Sequence, residues 1–259
     1  MIARSKTSAV GAFLLVVTLA AGLARAEAAE LQVLSAGAMR SIVTELGAAY
    51  EKQTGNTVKL SFSTVGVIKA RLADGAPADA VIMTQEAMQE MAGQGAVVEG
   101  SWTAIGRTGI GVGVRDGAPK PDIGTPEALK QALLSTKSLT YVDPAQGATS
   151  GIHFAGVLQR LGIADQVKSK TTLVPGGYPA ELVAKGDVAM VVHQISEIIP
   201  VKGVTLVGPL PKDLQKVTVY AAGVTVASTS KPEAKAFVTF LARPDFKPKL
   251  AAAGLDYKE

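Results

Sequence analysis

The stretch Leu31-Gln32-Val33-Leu34-Ser35-Ala36-Gly37-Ala38-Met39-Arg40 contains a short apolar run, a cluster of small residues and the start of an amphipathic helical pattern. The same order returns in Val58-Lys59-Leu60-Ser61-Phe62-Ser63-Thr64-Val65-Gly66. A strand that passes through small or hydroxyl residues directly into a helix leaves the first N–H groups of that helix uncovered. Two neighbouring units of this kind predict strand ends that converge on one anion.

Strand and helix patterns alternate along most of the chain, which indicates largely parallel sheets covered by helices. In the first block we predict strands at 31–35, 57–63 and 80–83 and helices at 39–54, 65–74 and 85–93. A second block begins at Thr125-Pro126-Glu127, which carries helix start signals. Two long β patterns, 105–114 and 217–227, connect the blocks. The sequence therefore predicts an α/β fold of two lobes, each a mostly parallel sheet flanked by helices, with a ligand cleft between them and two crossings.

The first 26 residues have the pattern of a cleavable signal peptide. Basic side chains at Arg4 and Lys6 precede an apolar run, and Ala24-Arg25-Ala26 is a cleavage signal. We expect cleavage after Ala26 and a periplasmic location. The remaining chain is expected to form lobe 1 from residues 27–107 and 206–259, and lobe 2 from residues 108–205.

The composition excludes several classes of function. The chain has no cysteine, which excludes disulfides and thiolate chemistry. Three of the 26 basic side chains lie in the leader, so the remaining chain is nearly neutral against its 22 acidic side chains. No basic run indicates nucleic acid as a partner. We expect a monomer without a cofactor, and two histidines forty residues apart do not predict a metal site.

Several short motifs resemble the molybdate-binding branch of the type II periplasmic substrate-binding proteins, over essentially the whole chain after the leader. They are Val33-Leu34-Ser35-Ala36-Gly37-Ala38-Met39, Ser61-Phe62-Ser63, Gly75-Ala76-Pro77-Ala78-Asp79, Asp143-Pro144, Gly151-Ile152-His153-Phe154 and Pro200-Val201-Lys202-Gly203-Val204. This resemblance implies the two-lobed type II fold and a tetrahedral oxyanion held by hydroxyls and helix-start N–H groups. It also implies an inner-membrane ABC permease as a partner.

The resemblance implies side-chain donors that this chain has changed. Ala38 and Val65 stand where the family has serines, and His193 stands where it has a tyrosine. A small shift of the alignment would bring Ser35, Ser63 or Thr64 to the ligand instead.

Cationic and imidazole groups near the same positions favour a carboxylate ligand. Arg40 and Lys69 lie near the starts of the first two helices, and His153 and His193 come from the second block. Arginine binds a carboxylate through two parallel hydrogen bonds, and lysine and histidine add charged donors. The alternatives are that Arg40 and Lys69 are solvated surface charges and that His153 is packed locally. The predicted ligand-binding set is Gly37, Ala38, Met39, Arg40, Thr64, Val65, Lys69, Thr149, Ser150, Gly176, Gly177, Tyr178 and His193.

Two hypotheses from different classes follow, with a third ligand class beside them. The first is a solute-binding protein for a small anion, favouring a di- or tricarboxylate, which feeds an ABC-type importer. The second is an isomerase, because aconitate isomerase resembles the same branch; the base that moves the allylic proton would be His193, Glu197 or His153. A third ligand class is a bare oxyanion such as molybdate, tungstate or sulfate. Catalytic roles for these three residues apply only to the isomerase hypothesis.

Overall fold

The computed structural model describes residues 28–256, and the predicted signal peptide at residues 1–26 lies outside them. The ten strands in this part of the chain are β1 (Glu30–Ala36), β2 (Thr57–Ser63), β3 (Ala80–Thr84), β4 (Thr103–Thr108), β5 (Ile110–Arg115), β6 (Leu139–Val142), β7 (Thr171–Val174), β8 (Met190–Gln194), β9 (Val204–Pro209) and β10 (Thr218–Val224).

The α-helices of the same region lie between these strands and at the end of the chain. They are α1 (Arg40–Thr54), α2 (Val65–Ala73), α3 (Gln85–Gly93), α4 (Pro126–Ser135), α5 (Thr149–Arg160), α6 (Ala164–Lys168), α7 (Ala180–Lys185), α8 (Ile195–Ile198), α9 (Lys231–Leu241) and α10 (Lys247–Ala252). The helix start signals act as the sequence predicts. The Thr125 hydroxyl, for example, accepts the Ala128 N–H at 3.1 Å and caps α4.

The first lobe is built on a five-stranded sheet in the order β2-β1-β3-β10-β4. β1 pairs in parallel with β2 and β3, because each of these strands is followed by a helix that crosses back over the sheet. β10 enters from the far end of the chain and pairs antiparallel with β3 and β4. The starts of α1 and α2 therefore lie side by side at one edge of this sheet.

The second lobe has its own five-stranded sheet, in the order β7-β6-β8-β5-β9. β6 pairs in parallel with β7 and β8, while β5 pairs antiparallel with β8 and β9. β9 was not predicted from the sequence. It extends the second sheet to Pro209, beyond the predicted lobe boundary at residue 205.

The chain passes between the lobes twice. The apolar segment 105–114, predicted as one extended crossing, forms the end of β4 in the first sheet and most of β5 in the second, with Gly109 between them. The return runs between the end of β9 and the start of β10. The fold therefore has the predicted two sheets and two crossings.

Each lobe has its own apolar core. The first lobe packs α1 and α9 together through Tyr50, whose ring meets those of Phe237 and Phe240 edge-to-face at 5.1 and 5.3 Å between centroids. The second sheet has two separate buried clusters, one that includes Phe154 and one that includes Val183. No helix in residues 28–256 has the length and apolarity needed to cross a bilayer.

Candidate functional site

A cavity of about 50 Å³ lies between the two lobes, at the ends of their parallel strands. The first lobe contributes Ala36, Gly37, Arg40, Phe62, Ser63, Thr64 and Val65. The second lobe contributes Val142, Ala148, Thr149, Ser150, Gly176, Gly177, His193 and Glu197. The helices α1, α2 and α5 all begin at this cavity, so their uncovered N–H groups and positive dipole ends favour an anion.

His193 and Glu197 form a buried pair in the cavity wall. His193 Nδ1 lies 3.0 Å from Glu197 Oε2, and the side chains are 3% and 8% exposed. The sequence indicates a polar turn over residues 193–197. The structure instead continues β8 through Gln194 and starts the short helix α8 at Ile195. This change of geometry at Gln194 brings the two side chains together although they belong to different elements.

The end of β8 is fixed by contacts with the first lobe and the crossing segment. Gln194 Nε2 donates to the hydroxyl of Tyr220, in β10, at 3.3 Å. The Ile195 N–H donates to the carbonyl of Gly109, between the lobes, at 2.9 Å. Gln194 and Ile195 lie between His193 and Glu197 in the sequence, so these two bonds fix the backbone that joins the pair.

Two groups approach Nδ1 of His193, and they favour different tautomers. The Gln194 nitrogen lies 2.8 Å from Nδ1, and its N–H can donate only to an unprotonated Nδ1. The Glu197 carboxylate, in contrast, can accept only from a protonated Nδ1. The carboxylate is the stronger partner because its bond to a ring N–H is charge-assisted. We therefore assign the proton to Nδ1, which leaves Nε2 as the basic nitrogen. Nε2 is buried and has no hydrogen-bond partner in the described chain.

Arg40, at the start of α1, supplies the cation of the cavity. Its guanidinium lies over the ring of Phe62 at 4.5 Å and near that of Tyr178 at 5.5 Å from the centroids. Its Nε is buried and has no hydrogen-bond partner within residues 28–256. Stacking on the two rings orients the planar guanidinium while leaving N–H donors for a carboxylate.

Tyr178 lies next to the cavity, beyond Arg40. It lines an outer pocket together with Arg40, Gly176, Gly177 and Lys185. Burial raises the pKa of Tyr178 to about 12, and the charge of Glu197 acts in the same direction, whereas Arg40 acts against it. The phenol is therefore neutral at physiological pH and can donate a hydrogen bond.

Hydroxyl groups line the cavity at positions other than those implied by the family alignment. Ser63, Thr64, Thr149 and Ser150 are all in the wall. Ser35, the other hydroxyl that a shifted alignment would use, is fully buried and donates to the carbonyl of Ala36 at 3.2 Å. Val65 is in the wall and offers no side-chain donor.

Besides Tyr178, which lines the outer pocket only, three residues of the predicted ligand-binding set and the catalytic candidate His153 are not in the cavity wall. Ala38 and Met39 are buried in the first core. Lys69 is partly exposed and forms an ion pair with Glu90, with Nζ 2.6 Å from Oε2. His153 is turned toward the loop before β10, where its Nε2 lies 2.8 Å from the carbonyl oxygen of Leu214. Both polar side chains therefore follow the alternative reading, surface charge for Lys69 and local packing for His153.

The prediction did not include Ala36, Phe62, Val142 or Ala148, which also line the wall. Phe62 is the most important of these, because the Arg40 guanidinium lies over its ring. Phe62 is the next-to-last residue of β2, and ligands bind at the carboxyl ends of the strands in open α/β sheets. The sequence position alone could therefore have predicted it as a site residue. Within residues 28–256 no group of three or more histidine or acidic side chains is arranged to hold a metal ion.

Known proteins similar to this chain share its fold and, in part, its sequence. The family described as bacterial extracellular solute-binding protein matches residues 31–256. Aconitate isomerase from Pseudomonas sp is 34% identical over 98% of this chain and 97% of the relative. Molybdate-binding protein ModA from Escherichia coli (strain K12) is 26% identical over 86% of this chain and 88% of the relative.

The solved structures that are similar confirm the fold. The periplasmic molybdate-binding protein of Azotobacter vinelandii superposes with a TM-score of 0.74 at 20% identity, covering 88% of this chain and all of that one. The sulfate-binding protein SubI from Mycobacterium tuberculosis gives 0.65 at 18% identity, over 88% of this chain and 86% of that chain. The predicted type II fold and the resemblance to the molybdate-binding branch are both confirmed. By its matched residues and its architecture, the chain belongs to the bacterial extracellular solute-binding protein family.

Proposed function

We propose that this protein binds a small polycarboxylate between its lobes and interconverts trans- and cis-aconitate. The observation that carries the proposal is the His193–Glu197 pair in the cavity wall, in which Nδ1 is held by a carboxylate while Nε2 is buried and has no hydrogen-bond partner within residues 28–256. Binding alone needs donors, but it does not need a histidine oriented as a base. The similarity to aconitate isomerase, 34% over nearly the whole chain, supports the same reaction class.

The chemistry assigns a role to each charged group. His193 Nε2 removes a proton from the methylene carbon beside one carboxylate of trans-aconitate. The electron pair that remains is delocalised over the allyl system and the carboxylates, and the double bond moves. The protonated histidine then returns a proton to the other end of the allyl system, which regenerates the neutral imidazole. Glu197 stabilises the imidazolium in between, so no net acid or base is consumed.

Arg40 is the group that favours a carboxylate over a bare oxyanion. A guanidinium matches the two oxygens of a carboxylate, and its charge stabilises the negative charge that develops on proton removal. Ala38 and Val65 lack the hydroxyls that the molybdate-binding branch implies, while the stacking of Arg40 on Phe62 presents a planar donor instead. We therefore favour aconitate and similar tricarboxylates as ligands, bound by a monomer in the periplasm.

Incubation of the purified protein with trans-aconitate tests this proposal. We expect cis-aconitate to accumulate until the same mixture is reached as from cis-aconitate as the starting material, with both isomers followed by chromatography. If neither isomer is converted at high protein concentration while both bind, the isomerase proposal is wrong.

A second candidate is a solute-binding protein that delivers a carboxylate to an ABC-type importer. The matched family supports it, and so do the four hydroxyl residues and three helix starts at the cavity, which need no reaction to hold an anion. A thermal-shift series with citrate, trans-aconitate, tricarballylate, molybdate and sulfate separates the ligand classes. Stabilisation by tricarboxylates without turnover supports this candidate, and stabilisation by molybdate alone supports the bare-oxyanion alternative.

A further inference from the structure

The two lobes contact each other directly at Gly66 and Gly147. Gly66 lies in the first turn of α2, in the first lobe, and its N–H donates to the carbonyl of Gly147, in the second lobe, at 3.1 Å. Gly147 follows a 3-10 turn at Pro144–Gln146 and has a φ of 64°, which favours glycine. This contact involves neither of the two crossing segments, so it is separate from the connections that join the lobes covalently.

The contact leaves no room for a side chain on either glycine. A Cβ at Gly66 would lie 2.7 Å from the Cα of Gly147 and 2.9 Å from the carbonyl oxygen of Gln146. A Cβ at Gly147 would lie 2.6 Å from the Cα of Gly66. Because the opposing atoms are backbone, they cannot turn away as a flexible side chain would. An added methyl group must push the lobes apart by about 0.7 Å before ordinary carbon contacts are restored.

Thr64 joins this contact to the ligand cavity. Its hydroxyl accepts the Val67 N–H at 3.3 Å, which caps α2, and it donates to the carbonyl of Gln146 in the opposite lobe. Thr64 also lines the cavity. One residue therefore starts the helix, contacts the ligand space and bonds to the second lobe, so a change in lobe spacing at this point changes the cavity.

We propose that the Gly66–Gly147 contact is the mechanical stop of lobe closure, and that it sets the size of the ligand the closed cavity accepts. Arg40 and Phe62 belong to one lobe and His193 to the other, so the stop fixes how far the carboxylate-binding group is from the base. The inference rests on the proposed binding of a ligand between the lobes, but it does not depend on whether that ligand is isomerised.

Substitution Gly66→Ala tests the stop, because position 66 has ordinary helical backbone geometry and alanine adds only the methyl group. Gly93→Ala and Gly156→Ala are matched controls, one in each lobe, since a Cβ at either position meets nothing within 4 Å. Spin labels on Asp74→Cys and Gln159→Cys report the spacing, because the chain has no other cysteine and both positions are exposed, just beyond α2 and near the end of α5. Distances are measured by pulsed electron resonance, with and without tricarballylate.

The shortest distance between the labels should be the same in Gly93→Ala and Gly156→Ala as in the labelled protein that keeps all its glycines. Gly66→Ala should lose that shortest population and shift to longer distances, with tricarballylate binding weakened about tenfold. Equal distance distributions for Gly66→Ala and the controls would overturn the proposal. It would also be overturned if the labelled protein with Gly66 and Gly147 unchanged had no population at the label spacing expected from this structure. Failure of aconitate turnover would leave the distance result intact, so the two proposals fail separately.

Discussion

Glu197 Oε2 lies 3.0 Å from Nδ1 of His193, and both side chains are more than nine-tenths buried. A buried carboxylate is costly to desolvate, so it persists only with strong compensating bonds. Glu197 obtains one from His193, and its other carboxylate oxygen faces Gly37, where a Cβ would lie 2.8 Å away. The pair therefore depends on a glycine in the opposite lobe as well as on its own strand and helix.

Replacing Glu197 with glutamine should lower turnover more than binding. The carboxamide keeps the size of the side chain and can bond to Nδ1, but it lacks the charge that stabilises the imidazolium. We expect kcat for trans-aconitate to fall about a hundredfold or more, with KM changed only a few-fold. Glu181→Gln is the control, because Glu181 is an exposed acid of the outer pocket. Equal kcat values for the two variants would remove Glu197 from the reaction.

Replacing Arg40 with glutamine should weaken binding of tricarboxylates. The loss of a charged, bidentate donor predicts about a tenfold to hundredfold weaker affinity. Lys69→Gln removes a positive charge from the neighbouring helix, outside the cavity wall, and should change affinity little. Calorimetric titration with tricarballylate measures both variants. Similar losses in the two would mean that general positive charge, and not contact with Arg40, attracts the ligand.

Replacing Gly37 with alanine should disturb the His193–Glu197 pair without unfolding the protein. The new methyl group requires the Glu197 carboxylate to move, and that movement lengthens its bond to Nδ1. We expect turnover to fall at least about tenfold at a nearly unchanged melting temperature. Gly93→Ala adds the same methyl group to the first lobe in open space. If the two variants turn over equally fast, the spacing between Gly37 and Glu197 is not important.

Tyr178 should make stability depend on pH above pH 10. Burial raises the pKa of Tyr178 to about 12 from its ordinary value near 10. Between these values the unfolded chain loses the proton while the folded chain keeps it, so the free energy of unfolding falls as pH rises. We expect the stability advantage of the native chain over Tyr178→Phe to shrink from pH 9 to pH 11 in urea unfolding. A constant difference across this range would contradict the shift.

The sequence predicted most of the fold because its period and turn signals are local. Helix α2, for example, is predicted at residues 65–74 and forms Val65–Ala73. β9 was missed because its pairing with β5 is a tertiary contact. Gln194 shows the same effect, since a residue predicted in a turn ends a fully buried strand.

The site was only partly predictable, because periodicity places a residue on an element but does not aim its side chain. Lys69 and Arg40 both lie near helix starts, yet Lys69 pairs with Glu90 while Arg40 lies over the rings of Phe62 and Tyr178. His153 and His193 differ in the same way. The His153 ring contacts the carbonyl oxygen of Leu214, which is sixty-one residues away in sequence. Partners so distant in sequence cannot be inferred from local pattern.

The most direct test of His193 as the base is the rate of aconitate isomerisation in the His193→Gln variant, followed by proton NMR beside the native chain. Glutamine fills a similar space and can still donate a hydrogen bond, but it cannot accept and return a proton. We predict that the native chain converts trans- to cis-aconitate, and that His193→Gln binds tricarballylate yet turns over at least about a hundredfold more slowly. A variant that keeps the native rate would contradict the assignment of His193 as the acid–base group.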